Sequence, residues 1–235
     1  MIRTVHTSLN HLNRSIIRCR NCPRLVKHRE DIAAIKRRKF EDYEYWGKPV
    51  TGYGDTRARL VILGLAPAAH GGNRTGRVFT GDSSARFLVR HLHKFGFANQ
   101  ATSEARNDGL QYIDCYVTAA VKCVPPGDKP TRQEIENCST YLEEELRILS
   151  SSKVVMALGK IAFDAYVDFA RKRCDVKGRF PFEHGKMYML SSSLPILLAS
   201  YHPSPRNTNT GKLTSAMFSA VLRRIRRILD HDPLN

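Results

Sequence analysis

Leu60-Val-Ile-Leu63 followed by Gly64-Leu-Ala-Pro-Ala-Ala-His-Gly-Gly-Asn-Arg-Thr-Gly-Arg-Val-Phe-Thr-Gly-Asp82 decides the fold. The short, wholly apolar run ending at a glycine predicts a buried strand. Ser83 to Leu92 reads as an amphipathic helix, with Phe87, Leu88 and Leu92 at helical spacing. The long loop between them stands at the carboxyl end of a strand, where open α/β sheets place their ligand crevices. Its glycines let the backbone approach a ligand closely. Asn73, Arg74, Arg77 and Phe79 supply polar and stacking groups, and Asp82 is the loop's one carboxylate.

Working outward, the same pattern recurs. Tyr112 to Thr118 predicts a second strand, ending in Ala119-Ala-Val-Lys-Cys-Val-Pro-Pro126. Lys153 to Leu158 predicts a third, and Pro195 to Ser200 a fourth that delivers Tyr201-His-Pro-Ser204; Met187 to Leu190 adds an edge strand. Helical spacing covers 8–22, 24–39, 83–95 and, behind the capping box Thr131-Arg-Gln-Glu134, the segment to about Leu149. Further helices span 160–173 and 211–230. The last turns Leu213, Met217, Val221, Ile225 and Leu229 inward and Arg223, Arg224, Arg226 and Arg227 outward. Tyr43 to Pro49 and Thr51 to Asp55 read as turns, and 98–109 as a polar loop with a mobile tip. The class is a three-layer α/β/α sandwich around a mainly parallel four-stranded sheet. Without repeats or a low-complexity linker, residues 1–235 read as one domain with an N-terminal helical segment at 1–45. All the loops rich in special residues then fall on one sheet edge.

Lys plus Arg exceed Asp plus Glu by 38 to 22, giving a net charge of +16. Such an excess favours a polyanionic partner, and nucleic acid above others. No run is long and apolar enough for a membrane span, and Met1-Ile-Arg-Thr-Val-His lacks a secretory hydrophobic region. The expectation is a soluble, cytoplasmic monomer with no membrane partner.

Disulfides are disfavoured in such a chain, so paired cysteines suggest metal or redox chemistry. Cys19-x-x-Cys22 can grip one metal or two corners of a cluster, and Cys123 and Cys138 are the natural remaining ligands. Cys115 and Cys174 read as core filling. The four ligands suit zinc or an iron–sulfur cluster, although a third ligand about a hundred residues after the pair is not zinc-ribbon spacing.

The Gly64–Asp82 loop and Tyr201-His-Pro-Ser-Pro-Arg-Asn207 resemble the two active-site motifs of the uracil-DNA glycosylase superfamily. The likeness is strongest to its family 5, the B-type iron–sulfur uracil-DNA glycosylases, and runs from about Cys19 to the last helix. It implies a monofunctional enzyme of base excision repair that hydrolyses the N-glycosidic bond of uracil, and of other deaminated bases such as hypoxanthine, in double- or single-stranded DNA. It also implies a structural [4Fe-4S] cluster on Cys19, Cys22, Cys123 and Cys138, since Lys122-Cys-Val-Pro-Pro126 matches the family's cluster segment. The cluster would tie the N-terminal segment to the rest.

Carried onto this sequence, His202 is the donor to the leaving base and Phe79 the stacking platform. Backbone around Gly64, Ala66 and Ala68 contacts the base. Asp82 is the cation-stabilising or water-orienting carboxylate, or else simply an N-cap for the helix at Ser83. Asn73, Arg74 and Arg77 line the pocket mouth or hold phosphates; Ser204, Arg206 and Asn207 form a backbone clamp and intrusion loop. Leu65 and Ala66 stand where sister families carry a polar residue, and Ala119-Ala120 where several carry an asparagine. A pocket with fewer specific hydrogen bonds should admit more bases. The alternative is a non-catalytic iron–sulfur nucleic-acid-binding protein. A nucleotide-binding enzyme is disfavoured, because the loop lacks Gly-Lys-Ser/Thr and is too long for a dinucleotide fingerprint.

Overall fold

A computed structural model describes residues 8–231, so the first seven residues of the N-terminal segment lie outside it. Its sheet contains β1 (Tyr53–Gly54), β2 (Leu60–Gly64), β3 (Cys115–Ala119), β4 (Val154–Leu158), β5 (Met187–Tyr188) and β6 (Ile196–Ser200), in the order β1-β3-β2-β4-β6-β5. The four inner strands are parallel, as read from the sequence, and the two-residue edge strands pair antiparallel to them. Parallel strands covered on both faces explain the uninterrupted apolar runs.

Alternation along those strands sorts the core into two layers. Leu60, Ile62, Val117, Met156 and Leu198 face α4 (Ser83–Lys94) and α8 (Ser215–Asp230). Val61, Leu63, Val155, Ala157 and Leu197 face α1 (Leu9–Arg18), α5 (Arg132–Ile148) and α6 (Lys160–Cys174). The remaining helices are α2 (Pro23–Ile35), α3 (Gly72–Thr75) inside the Gly-rich loop, and α7 (Pro205–Asn209). The capping box at Thr131 is fully formed: its hydroxyl accepts from the Glu134 N–H and the Glu134 carboxylate accepts from the Thr131 N–H.

Several boundaries differ from the sequence reading. β3 begins at Cys115 because Asp114 takes φ 51°, which no strand allows. The Asp114 carboxylate accepts from the Arg59 N–H and Nε at 2.8 and 2.9 Å, while Tyr112 bridges to Ala98 instead. α1 stops at Arg18, where Cys19 turns extended, and α2 stops at Ile35, before Lys36 at φ 55°. β1 forms in a stretch that reads as turns, anchored by the Tyr53 hydroxyl donating to the Leu110 carbonyl at 2.6 Å. The tip of 98–109 is pinned: Asp108 accepts from the N–H groups of Glu104, Ala105 and Leu110 and is paired to Arg77. Arg226, expected outward, lays its guanidinium 3.6 Å from the Phe97 ring centroid. Among the described residues no helix is long and apolar enough to cross a membrane.

Candidate active site

The chain passes from β2 outward to β3 and then crosses to β4 on the other side of β2, so the topology reverses between β2 and β4. Open α/β sheets bind ligands above the carboxyl ends at such a point. Here those ends are Gly64 aligned with Ala119, and Leu158 aligned with Ser200. A hollow of about 1050 Å³ lies elsewhere, by Lys153 and Ile196 at the amino ends of β4 and β6.

Phe79, at φ 45°, folds back over the end of β2. A methyl group on Gly64 would stand 2.8 Å from its ring, so only glycine admits this approach. The His202 ring lies 5.9 Å from the Phe79 ring, centroid to centroid, inclined by 32°. Gly159, at the end of β4, leaves room beside it: a Cβ there would meet the His202 Cβ at 3.5 Å. The structure thus brings Phe79, His202, Gly64 and Gly159 together from three separate loops.

His202 is held by its neighbours. Asn207 Nδ2 donates to the His202 carbonyl at 2.8 Å. The Tyr201 N–H donates to His184 Nδ1 at 3.1 Å, and those two rings stack at 5.1 Å. Burial pushes the His202 imidazole down to about 4, with the charge of Asp128 opposing. It is therefore neutral at pH 7, with one N–H to donate. Ser204 opens α7 without a capping bond from its side chain, and Arg206 is exposed beside it.

Asp82 caps α4 through Oδ1, which accepts from the Ala85 N–H at 2.9 Å. Its second oxygen lies against Gly71, where a Cβ would approach to 2.1 Å. Burial raises the carboxyl's pKa, against hydrogen bonds from the Ala85 and Ser84 N–H groups. The capping reading is realised, and the other oxygen faces the turn that carries Ala68 and His70.

The first-loop polar residues, expected to line the pocket mouth or hold phosphates, bond within the protein. Arg77 donates to both Asp108 oxygens, Ser103 and Thr80; Arg74 donates to the His70 carbonyl and stacks 4.3 Å from the Phe40 ring centroid. Asn73 donates to the Arg29 carbonyl. A loop this long cannot stay fixed on glycines alone, and these side chains brace it. His70, not singled out from the sequence, bonds through Nδ1 to the Tyr45 hydroxyl at 3.0 Å. Burial and the charges of Arg37 and Arg74 lower its pKa. His184 and His70 carry no local signal, because their roles depend on remote partners.

Cys22, Cys123 and Cys138 gather with Leu25 and Val121, and Ala66 of the Gly-rich loop packs against them. Cys19 is an electrostatic neighbour of Cys123. Two of the sulfurs meet a donor, Arg29 Nη1 on Cys123 at 3.0 Å and Asn137 Nδ2 on Cys22 at 3.4 Å, while Tyr141 is an electrostatic neighbour of Cys19 and Lys122 of Cys138. Among the described residues no three Cys, His, Asp or Glu converge as one ion would require. An iron–sulfur group gives each thiolate its own iron and needs donors to its charged sulfurs, so this set of donors fits one. Cys115 is buried in the core and Cys174 lies by Ser193. Lys122 Nζ is sealed onto Glu145 Oε2 at 2.5 Å and Thr118 Oγ1 at 2.8 Å.

The profile of the Uracil DNA glycosylase superfamily matches residues 51–226. Three proteins named type-5 uracil-DNA glycosylase are similar over most of their lengths. That of Thermus thermophilus is 46% identical over 210 residues, covering 89% of this chain and 93% of the relative. That of Mycobacterium leprae is 44% identical, covering 94% and 96%, and that of Pyrobaculum aerophilum 43% identical, covering 89% and 88%.

Proposed function

The chain belongs to the uracil DNA glycosylase superfamily, among its type-5 members, and on that premise we infer that it excises uracil from DNA by hydrolysing the N-glycosidic bond, which starts base excision repair. The observation that carries the mechanism is the neutral His202, after β6, facing Phe79, after β2, across the end of β4. A glycosylase extrudes the nucleotide, at a cost of roughly a few kcal/mol, into a pocket that stacks and reads the base. Here the base stacks on Phe79 and presents an oxygen to the His202 N–H. As the bond from C1′ to the base nitrogen breaks, its electron pair leaves with the base, and the fixed N–H stabilises the resulting anion. The second oxygen of Asp82, beside Gly71, counters the sugar cation or orients the water that adds to C1′. The products are an abasic site and the free base.

Leu65, Ala66, Ala119 and Ala120 offer no polar side chain to read the base edge, which supports activity on hypoxanthine as well as uracil. Lys122, in the loop after β3, is locked in an ion pair with Glu145 and is not available as a Schiff-base nucleophile, which supports a monofunctional enzyme. Cys19, Cys22, Cys123 and Cys138 would hold a [4Fe-4S] cluster, whose contribution is to fasten α2 and the loop after β3 beside the site. The enzyme acts as a cytoplasmic monomer on DNA. A purely DNA-binding protein is not favoured.

The test is an end-labelled duplex carrying one deoxyuridine or one deoxyinosine, incubated with protein and then cleaved by hot alkali. Cleavage by the wild type but not by His202→Ala is expected. Absence of cleavage by cluster-loaded wild-type protein would overturn the glycosylase reading.

A further inference from the structure

Arg29, in α2, is only 2% exposed, yet its guanidinium does not fork onto a carboxylate. Nη1 lies 3.0 Å from Cys123 Sγ and 3.4 Å from the Cys19 carbonyl, and Nε is buried with no partner. Glu30, itself half-exposed, comes no closer than 3.7 Å to Nη2. Two other arginines of this protein show the ordinary solution: Arg77 spans both oxygens of Asp108, and Arg59 pairs with Asp114. A buried guanidinium aimed at a sulfur makes physical sense when that sulfur carries negative charge.

The other end of the same residue holds the Gly-rich loop. Its carbonyl accepts from Asn73 Nδ2 at 3.1 Å, and Asn73 is 1% exposed. The Asn73 N–H donates to the Ala68 carbonyl at 3.0 Å, and its carbonyl accepts from the Gly47 N–H at 3.1 Å. A continuous path therefore runs from the Cys123 sulfur through Arg29 and Asn73 to Ala68, in the turn beside Asp82.

We propose that Arg29 is a positioning residue that couples the four-cysteine centre to the Gly-rich loop, its guanidinium setting the charge balance at Cys123 and its carbonyl seating Asn73. The proposal rests on the reading of the four cysteines as cluster ligands. Its consequence is directional. Loss of the centre frees the guanidinium, unseats α2 and so loosens the turn at Ala68. A defect at Asn73 disturbs the loop without touching the centre.

The experiment uses full-length protein purified without oxygen, as wild type, Arg29→Lys, Arg29→Met, Asn73→Ala and the Arg29→Met/Asn73→Ala pair. Iron and sulfide content, the midpoint potential of the centre, bleaching of its visible absorbance in air, and single-turnover kcat and KM on a deoxyuridine duplex are measured. Removing a cation beside a sulfur disfavours the more negative, reduced state. Arg29→Met should lower the potential by about 59 mV, tenfold in a one-electron equilibrium, and bleach several-fold faster. Arg29→Lys should fall between, and carries the test if the Met variant does not retain iron. Asn73→Ala should keep wild-type iron and potential but lose rate, and the pair should lose no more rate than the worse single variant, because both cut one path. An unshifted potential in an iron-replete Arg29 variant, or additive rate losses, would overturn the coupling. Wild-type protein without iron and sulfide would overturn the cluster reading itself.

Discussion

At the scale of single residues, two side chains carry separable predictions. His202→Ala removes a fixed donor, and such donors are worth about 2.7–4 kcal/mol of transition-state stabilisation. Its single-turnover rate should fall by roughly 10²–10³-fold, with folding intact by circular dichroism. Because His202 sits near 4 against an ordinary 6.5, the unfolded chain binds its proton first as the pH drops. Its contribution to stability is therefore complete above 6.5 and is lost between 6.5 and 4, by about 3 kcal/mol. His202→Gln should flatten that part of the curve of melting temperature against pH. Asp82 separates by substitution. Asp82→Ala should cost about 1 kcal/mol through the lost cap, whereas Asp82→Ser keeps the cap. Calorimetry and single-turnover kinetics on both variants would divide the roles. A slow but stable serine variant assigns the carboxylate to the chemistry, and a fast one confines it to α4.

At the scale of elements, the loop after β3 is tied to α5 by a dry ion pair. Lys122 and Glu145 are both essentially unexposed, and Thr118 donates to the same carboxylate oxygen. Breaking one partner of such a pair leaves a buried charge uncompensated, at about 3–5 kcal/mol, whereas replacing both with apolar groups is often neutral. Glu145→Gln should therefore melt far earlier than the wild type, and Lys122→Met/Glu145→Leu should recover most of the loss in urea unfolding. Equal destabilisation of both proteins would show that α5 is held by its apolar face alone. The same element logic explains the site: β2, β4 and β6 end side by side, so the loops that follow β2 and β6 bring Phe79 and His202 together.

At the scale of the whole molecule, +16 of formal charge must be balanced by a polyanion for the complex to form. Affinity for a duplex should fall linearly on a log–log plot against salt, with a slope of about −0.9 per neutralised phosphate. Arg37 and Arg38 are exposed, and Arg37 acts electrostatically on His70 in the Gly-rich loop. Converting either to Ala should weaken binding to all sequences alike and shrink the slope by about 1. Fluorescence anisotropy at several salt concentrations measures both. A slope unchanged in both variants would move the DNA path elsewhere on the surface.

The sequence by itself determined the sheet and the two loops that matter. Parallel strands buried on both faces must be written as apolar runs, the Thr131 capping box is local chemistry, and Gly64–Asp82 and Tyr201–Asn207 are contiguous motifs. It placed Phe79 and His202 on one sheet edge, without the facing geometry of their rings. Only the tertiary structure decided that Asn73, Arg74 and Arg77 brace their loop from within, that His184 and Asn207 hold His202, and that Arg29 faces Cys123. The physical reason is that a polar side chain's role is set by its partner. A guanidinium near water, a carboxylate or a sulfur is the same residue in the sequence, and those partners lie far away along the chain.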